Sequence, residues 1–333
     1  MSKSATAVAH PNIAFIKYWG NKDQKLRIPM NSSISMTLEG LETRTKVAFY
    51  PELERDQLTI NGKPIYGEGL ERVSRFLEQV RRWSGNSEYA QVTSQSNFPM
   101  GSGIASSASA FAALSLAAST AAGLSFTERE LSRLARTGSG SACRSIPGGF
   151  VEWQAGTEHE NSYAFSIAGP EHWELVDLVA VISTQPKETG STEGHKLAPT
   201  SPLQDARVSD APRRLNLCRS AILERDFESF ARVVEQDSNM MHAVMMTSQP
   251  PLFYWQPGTV RMIRKVKRWR KEGVPVCSTI DAGPNVHVLC LREESKTLKK
   301  RLLDIPDVED VYTTYPGGGA YILCRSSSGE REG

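Results

Sequence analysis

The stretch 97–122, NFPMGSGIASSASAFAALSLAASTAA, leaves this chain few options, because it joins a loop able to hold an anion to a run that reads as a buried helix. Gly101, Ser102, Gly103, Ser106 and Ser107 fall close together, so the main chain there approaches a ligand closely and turns consecutive N–H groups toward it. From Ile104 onward the residues are small and apolar, which predicts a helix packed on all sides. The positive end of its dipole adds to the donors of the loop, so a phosphate, and ATP above all, is the ligand this stretch fits. A Ser/Gly turn ahead of an Ala-rich core helix is the alternative reading of the same residues. The Walker pattern GxxxxGK[ST] is absent, so the usual mononucleotide signature does not carry the argument.

A second dense stretch, RTGSGSACRSIPGGFVEW at 136–153, brackets Ser139, Ser141, Arg144 and Ser145 with four glycines. The backbone is again free to wrap an anion, and a guanidinium stands beside it, suited to a carboxylate or phosphate fork. Upstream, His10-Pro11-Asn12 breaks an apolar run and predicts one interrupted strand that presents Asn12 and Lys17 to a site. The segment that follows mixes Tyr18 and Trp19 with Lys22, Asp23, Lys25 and Arg27, which suits a solvated loop as readily as a binding site. Near the other end, a strand at 276–280 delivers Asp281-Ala282-Gly283-Pro284-Asn285. A carboxylate at a strand end is a common placement for a catalytic base, and Asp before Gly is also an ordinary turn.

The rest reads as scaffold. Alternation predicts antiparallel strands at 33–38, 43–50, 57–62, 89–94, 150–154, 162–167 and 176–183, with an Asn61-Gly62 turn closing the third. Helical spacing marks 68–83, a segment opened by a Thr127/Glu130 capping box and ending near 136, then 211–225, 227–246, 258–272 and 295–303. Strands at 308–313 and 320–324 complete a βαβ-like C-terminal layer. The polar run 184–202 predicts a mobile loop and domain hinge, and DSNMMHAVMM at 237–246 reads as methionine core packing, not a metal box. With 39 basic against 37 acidic residues, bulk electrostatics imply no nucleic-acid partner. Five cysteines without any CxxC suggest neither a disulfide framework nor zinc. No signal peptide or apolar span is evident, so the expectation is a cytoplasmic protein without a membrane partner.

Five segments together, NIAFIKYWG (12–20), PMNSSISMTL (29–38), NFPMGSGIASSASAFAAL (97–114), SRLARTGSGSACRSIPGGFVEW (132–153) and DAGPNVHVL (281–289), resemble the mevalonate diphosphate decarboxylase family. That family lies within the superfamily of galactokinase, homoserine kinase, mevalonate kinase and phosphomevalonate kinase. The resemblance implies an α+β protein. A two-layer α/β N-terminal domain of the ribosomal S5 domain 2 type (1–185) binds ATP, a ferredoxin-like domain follows (186–325), a deep cleft separates them, and 326–333 form a disordered tail. A homodimer is expected. The implied chemistry is phosphorylation of the C3 hydroxyl of a 5-phosphorylated mevalonate by ATP, followed by loss of phosphate and CO2.

The resemblance also assigns roles. Asp281 orients or deprotonates the hydroxyl, Asn12 holds that carboxylate, Lys17 neutralises the transferring phosphoryl group, and Arg144 clamps the C1 carboxylate beside Ser139 and Ser141. Tyr18, Asn21, Lys22, Lys187, Thr192 and Glu193 are the further substrate contacts. Asn97, Gly101, Ser102, Gly103, Ser106 and Ser107 hold ATP, with Ser106 on Mg2+. The chain departs from the pattern where the diphosphate enzymes usually carry lysine after YWG, since position 21 is Asn21, and again where Glu193 precedes Gly194. A lost cation and a gained anion both disfavour a second phosphate. The expected substrate is therefore mevalonate 5-phosphate, giving isopentenyl phosphate. The alternatives are the diphosphate enzyme, a small-molecule kinase that stops at the 3-phosphate, and a non-catalytic nucleotide sensor.

Overall fold

The computed structural model describes residues 4–98, 106–185 and 187–326. It opens with β1 (Ser4–Ala9) and β2 (Asn12–Ile16), which belong to different sheets and are not one interrupted strand. Pro11 supplies no N–H to a ladder, and the His10 ring pairs through Nδ1 with the Leu41 carbonyl at 2.8 Å, so the chain changes sheets at this point. A small ribbon of β3 (Asn21–Asp23) and β4 (Ile28–Pro29) leads into β5 (Ser33–Glu39), β6 (Thr43–Tyr50), β7 (Gln57–Ile60) and β8 (Lys63–Ile65). Then come α1 (Glu68–Ser84), β9 (Tyr89–Ser96), α2 (Ser106–Ala121) and α3 (Glu128–Gly138), whose expected capping box is present.

The first sheet runs β6–β9–β7–β8, and α2 lies across it. Ala112, Ala113, Ala117 and Ala118 bring the helix close to Val47, Phe49 and Val92. The Ser109 hydroxyl meets Thr43 Oγ1 at 2.7 Å, which fixes the first turns of α2 to β6. The small residues read from the sequence thus position the start of this helix over the site. Gly101, Ser102 and Gly103 lie outside the described residues.

After the 3-10 turn Gly140–Ser145, the strands β10 (Phe150–Gln154), β11 (Tyr163–Ala168) and β12 (Leu175–Val181) enter a second sheet. The segment expected to be a hinge loop instead contains α4 (Ser191–Leu197) and the 3-10 turn Ala198–Thr200. α5 (Gln204–Glu224) begins well before the expected 211, because two residues on its buried face, Gln204 and Arg207, are polar and interrupt the apolar spacing. α6 (Phe227–Thr247), α7 (Pro257–Lys271), β13 (Val276–Thr279), β14 (Val286–Leu291), α8 (Arg292–Leu303), β15 (Asp310–Pro316) and β16 (Tyr321–Ser326) complete the chain.

The second sheet has the order β11–β10–β5–β15–β12–β14–β13, and β2 also pairs with β5. Its β15–β12–β14–β13 portion has the strand order of a ferredoxin-like fold, and β14–α8–β15 is the βαβ-like unit expected. The last strand behaves differently. β16 leaves this layer and pairs antiparallel with β1, so the full order of the first sheet is β16–β1–β6–β9–β7–β8. A chain ending at Gly319 should melt several degrees lower and self-associate, because β1 would become a free edge. Thermal melting and light scattering indistinguishable from the full chain would show that the pairing contributes nothing.

Candidate active site

β2 ends at Ile16, so the next residue, Lys17, is carried to the floor of a cleft of about 400 Å³. Its ammonium lies 2.6 Å from Asp281 Oδ1, two residues past the end of β13, and it is 1 % exposed. The main chain of Lys17 is held equally firmly. Its N–H donates to Asp237 Oδ1 at 2.7 Å, and its carbonyl accepts from Asn31 Nδ2 at 3.0 Å and Arg207 at 2.8 Å. Asp237 in turn accepts from Arg214 at 2.7 Å, with both side chains fully buried. α6 therefore contributes a carboxylate as well as methionine packing, and only Met241 of its methionines lines the cleft.

Arg144 lies in the 3-10 turn after α3, where it donates through Nε to Asn12 Oδ1 at 3.2 Å and through Nη1 to Ser33 Oγ at 2.6 Å. Asn12 also donates to Ser145 Oγ at 2.8 Å and the Ser141 carbonyl at 3.1 Å. This corrects the expected role of Asn12. It grips the arginine, whereas Lys17 holds the Asp281 carboxylate. The reason is placement: Asn12 begins β2 beside the 3-10 turn, four residues before the strand ends, while Lys17 follows its last residue. Tyr18 packs edge-on against Trp153 and its ring lies over Gly140, where a Cβ would fall 2.5 Å from the ring, so only glycine admits it.

Five cations line the cleft among the described residues, Lys17, Arg27, Arg72, Arg144 and Lys187, against one carboxylate, Asp281. Burial lowers the pKa of each of the five, Arg72 to about 10. Cations stripped of water and gathered around one space mark a site made for an anion. For Asp281 burial acts to raise the pKa, but Lys17, with His287 and Arg144, outweighs it and keeps the carboxyl below its ordinary value. It is ionised at neutral pH and is a weak base, suited to orienting a hydroxyl and accepting its proton late in a transfer.

Of the other residues expected here, Ser106, Ser107, Ser139, Ser141, Lys187 and Thr192 do line the cleft. Asn21, Lys22, Glu193 and Asn97 do not. Asn21 is buried and takes a hydrogen bond from the Tyr18 hydroxyl at 2.5 Å, while Lys22 is exposed. Glu193 faces solvent and pairs with Lys196 at 2.8 Å. Asn97 spans the β5–β6 turn, accepting from the Glu42 N–H and donating to the Gly40 carbonyl. Gly101, Ser102 and Gly103 fall outside the described residues. The sequence does not single out Arg72, His195, Arg207 and Asp237, and Arg27 reads there only as one charge of a segment that suits a solvated loop as readily as a binding site. Arg72 is an isolated basic residue on an amphipathic helix and Arg27 one charge in a polar loop, so neither carried a signal.

The residues present suit a magnesium nucleotide. No group of three His, Cys, Asp or Glu side chains able to hold a metal occurs among the described residues. A hard cation here would be held through phosphate oxygens, with the Ser106 and Ser107 hydroxyls beside them.

Asp281→Asn offers a test of the pair. A carboxyl lowered by folding adds stability above its unfolded pKa, and that stability is lost as pH falls through the folded value. The variant should therefore be less stable than the parent at pH 7 by about 1–2 kcal/mol, and the gap should close below about pH 4. Equal stability at pH 7 in denaturant titrations would show that the pair is energetically neutral.

Comparison with known proteins identifies the family and matches the fold. Residues 9–164 match the family model of the diphosphomevalonate decarboxylase-like N-terminal domain, and 177–320 that of the mevalonate 5-diphosphate decarboxylase C-terminal domain. The diphosphomevalonate decarboxylase of Saccharomyces cerevisiae is 38% identical, over 93% of this chain and 85% of the yeast protein. Mevalonate diphosphate decarboxylase from Staphylococcus aureus superposes with a TM-score of 0.93 at 38% identity, covering 97% of this chain and 98% of that one. A structure described as MDDEF in complex with MVAPP, AMPPCP and magnesium gives a TM-score of 0.91 at 36% identity, covering 97% and 99%.

Proposed function

The chain belongs to the diphosphomevalonate decarboxylase family, and from that premise we propose that it converts mevalonate 5-diphosphate and ATP to isopentenyl diphosphate, ADP, phosphate and CO2. It is a carboxy-lyase of isoprenoid biosynthesis that uses ATP and Mg2+. The observation that carries the reading is the Lys17–Asp281 pair at 2.6 Å, set in the same cationic cleft as Arg144. The names of the relatives favour the diphosphate as substrate.

The chemistry follows from the residues. Asp281 aligns the C3 hydroxyl, whose oxygen attacks the γ-phosphorus of ATP. An O–P bond forms, the bond to ADP breaks, and the hydroxyl proton passes to the carboxylate. Lys17 offsets the charge on the moving phosphoryl group. Bound magnesium supplies charge neutralisation on the phosphates. The C3 phosphate then leaves with its electron pair. Positive charge grows at C3, the C1–C2 bond breaks, and its pair becomes the C2=C3 double bond as CO2 departs. Arg144, held in place by Asn12 and Ser33, clamps the C1 carboxylate in line with that breaking bond.

Mevalonate 5-phosphate is the second reading, and Asn21 favours it: a buried neutral amide, bonded to Tyr18 and Gln24, stands where the family's diphosphate enzymes usually carry lysine. Glu193 no longer supports it, because that side chain is paired in solvent. Arg27 and Arg72 supply cations that the position-21 argument left out.

Measured CO2 release with each substrate tests the choice. ATP- and Mg2+-dependent turnover should favour the diphosphate by about tenfold or more in kcat/KM, roughly 1.4 kcal/mol. The reverse ratio would establish the monophosphate reading, and ADP formation without CO2 would leave a kinase. Asp281→Asn should cut kcat by at least about 10³-fold with ATP affinity little changed. Arg144→Lys should lose about 2–3 kcal/mol in kcat/KM, since a point cation cannot reproduce a fork. Near-parental turnover in either variant would remove that residue from the mechanism.

A further inference from the structure

His195 lines the cleft from α4, and its environment determines which ring nitrogen carries the proton. The helix approaches closely because residue 194 is glycine: a Cβ there would meet the Trp19 ring at 2.5 Å. The imidazole stacks on Tyr18 at 4.1 Å between centroids and lies tilted on Trp19 at 4.6 Å. The Gly20 main-chain N–H donates to Nδ1 at 2.9 Å. A backbone N–H only donates, so Nδ1 keeps its lone pair and a neutral ring carries its hydrogen on Nε2. Burial, with Arg27, Arg207 and Arg144 nearby, lowers the ring pKa to about 3, so the neutral form is the resident one.

Building on the reading that the cleft takes a 5-phosphorylated mevalonate, we propose that His195 determines specificity by donating from Nε2–H to the phosphorylated end of the substrate. Three features place the phosphate here. Arg207 is committed to the Lys17 and Trp19 carbonyls and to Asn31, so it has no part in ligand binding. Arg144 is held through Nε and Nη1 by Asn12 and Ser33, and its remaining N–H donors go to the C1 carboxylate, at the other end of the substrate. Among the described residues Arg27 is tied only through Nε to the Thr137 carbonyl, which leaves its terminal nitrogens for an anion beside the imidazole. A neutral donor also suits a pocket already crowded with cations, because it adds a hydrogen bond without another buried charge.

Two substitutions separate the ring nitrogens. In His195→Asn the amide oxygen stands near Nδ1 and keeps the Gly20 bond, with nothing at Nε2. In His195→Gln the amide nitrogen reaches toward Nε2. Calorimetric titration of the intact enzyme with mevalonate 5-phosphate, mevalonate 5-diphosphate and unphosphorylated mevalonate is read alongside the kinetics of CO2 release. His195→Asn should weaken both phosphorylated ligands, and raise their KM, by about 10- to 100-fold, with binding of mevalonate, kcat and the KM for ATP within about threefold. His195→Gln should recover most of the loss. If His195→Asn binds within about twofold of the parent, the donor role is wrong. If both variants lose all three ligands and ATP equally, the ring only packs α4 against Tyr18 and Trp19, and the proposal falls. Parent protein that releases CO2 from neither substrate sinks the functional reading and this one with it, whereas an active parent with an unaffected His195→Asn sinks this one alone.

Discussion

Everything at the site depends on how Lys17 is held. An ammonium that is 1 % exposed is stable only if its main chain and its charge are both fixed, and four separate parts of the molecule do this. α6 gives Asp237 to the N–H, α5 gives Arg207 to the carbonyl, Asn31 adds a second donor, and the segment just past β13 gives Asp281 to the charge. Arg214 completes the arrangement by pairing with Asp237 and donating to the Arg207 carbonyl. Residues from opposite ends of the chain thus meet around one side chain, which explains why β2 lies in the sheet that also carries β12 and β14.

The cleft built around that residue concentrates positive charge that the chain as a whole does not show. A net charge of +2 hides five cations facing one carboxylate. Each gives up water; Lys17 is paired with Asp281, and the other four are steadied by a neutral partner or a ring: Arg144 by Asn12 and Ser33, Arg27 by the Thr137 carbonyl, Arg72 by the Gly138 carbonyl and the Phe111 face, Lys187 by Tyr254. The remaining donors are left for a ligand rich in negative oxygen, whose arrival restores the charge compensation that burial removed.

Legibility in the sequence followed the physical origin of each element. Strands with a clear alternation, such as β6, and helices with an apolar stripe, such as α1, were readable because burial on one face leaves a periodic trace. α4 left none, since Gly194 is a poor helix former and only the contact with Trp19 makes it worth having there. The start of α5 was hidden for a related reason: its inward face carries Gln204 and Arg207, which hold the Trp19 and Lys17 carbonyls and so look like surface residues.

The sequence by itself determined the chemistry available: Lys17, Arg144 and Asp281 in motif order, serines beside glycines, and a helix of small residues to carry them. Those are properties of residue type and local spacing, and they survive without knowledge of any long-range contact. Only the tertiary structure decided who touches whom. It gave Asp281 to Lys17 and Asn12 to Arg144, turned Glu193 out to solvent, sent β16 back to β1, and brought Arg27, Arg72 and His195 to the cleft. Pairings between residues more than a hundred positions apart are settled by sheet order and by the desolvation of buried charge, and neither quantity is written in any local window of the chain.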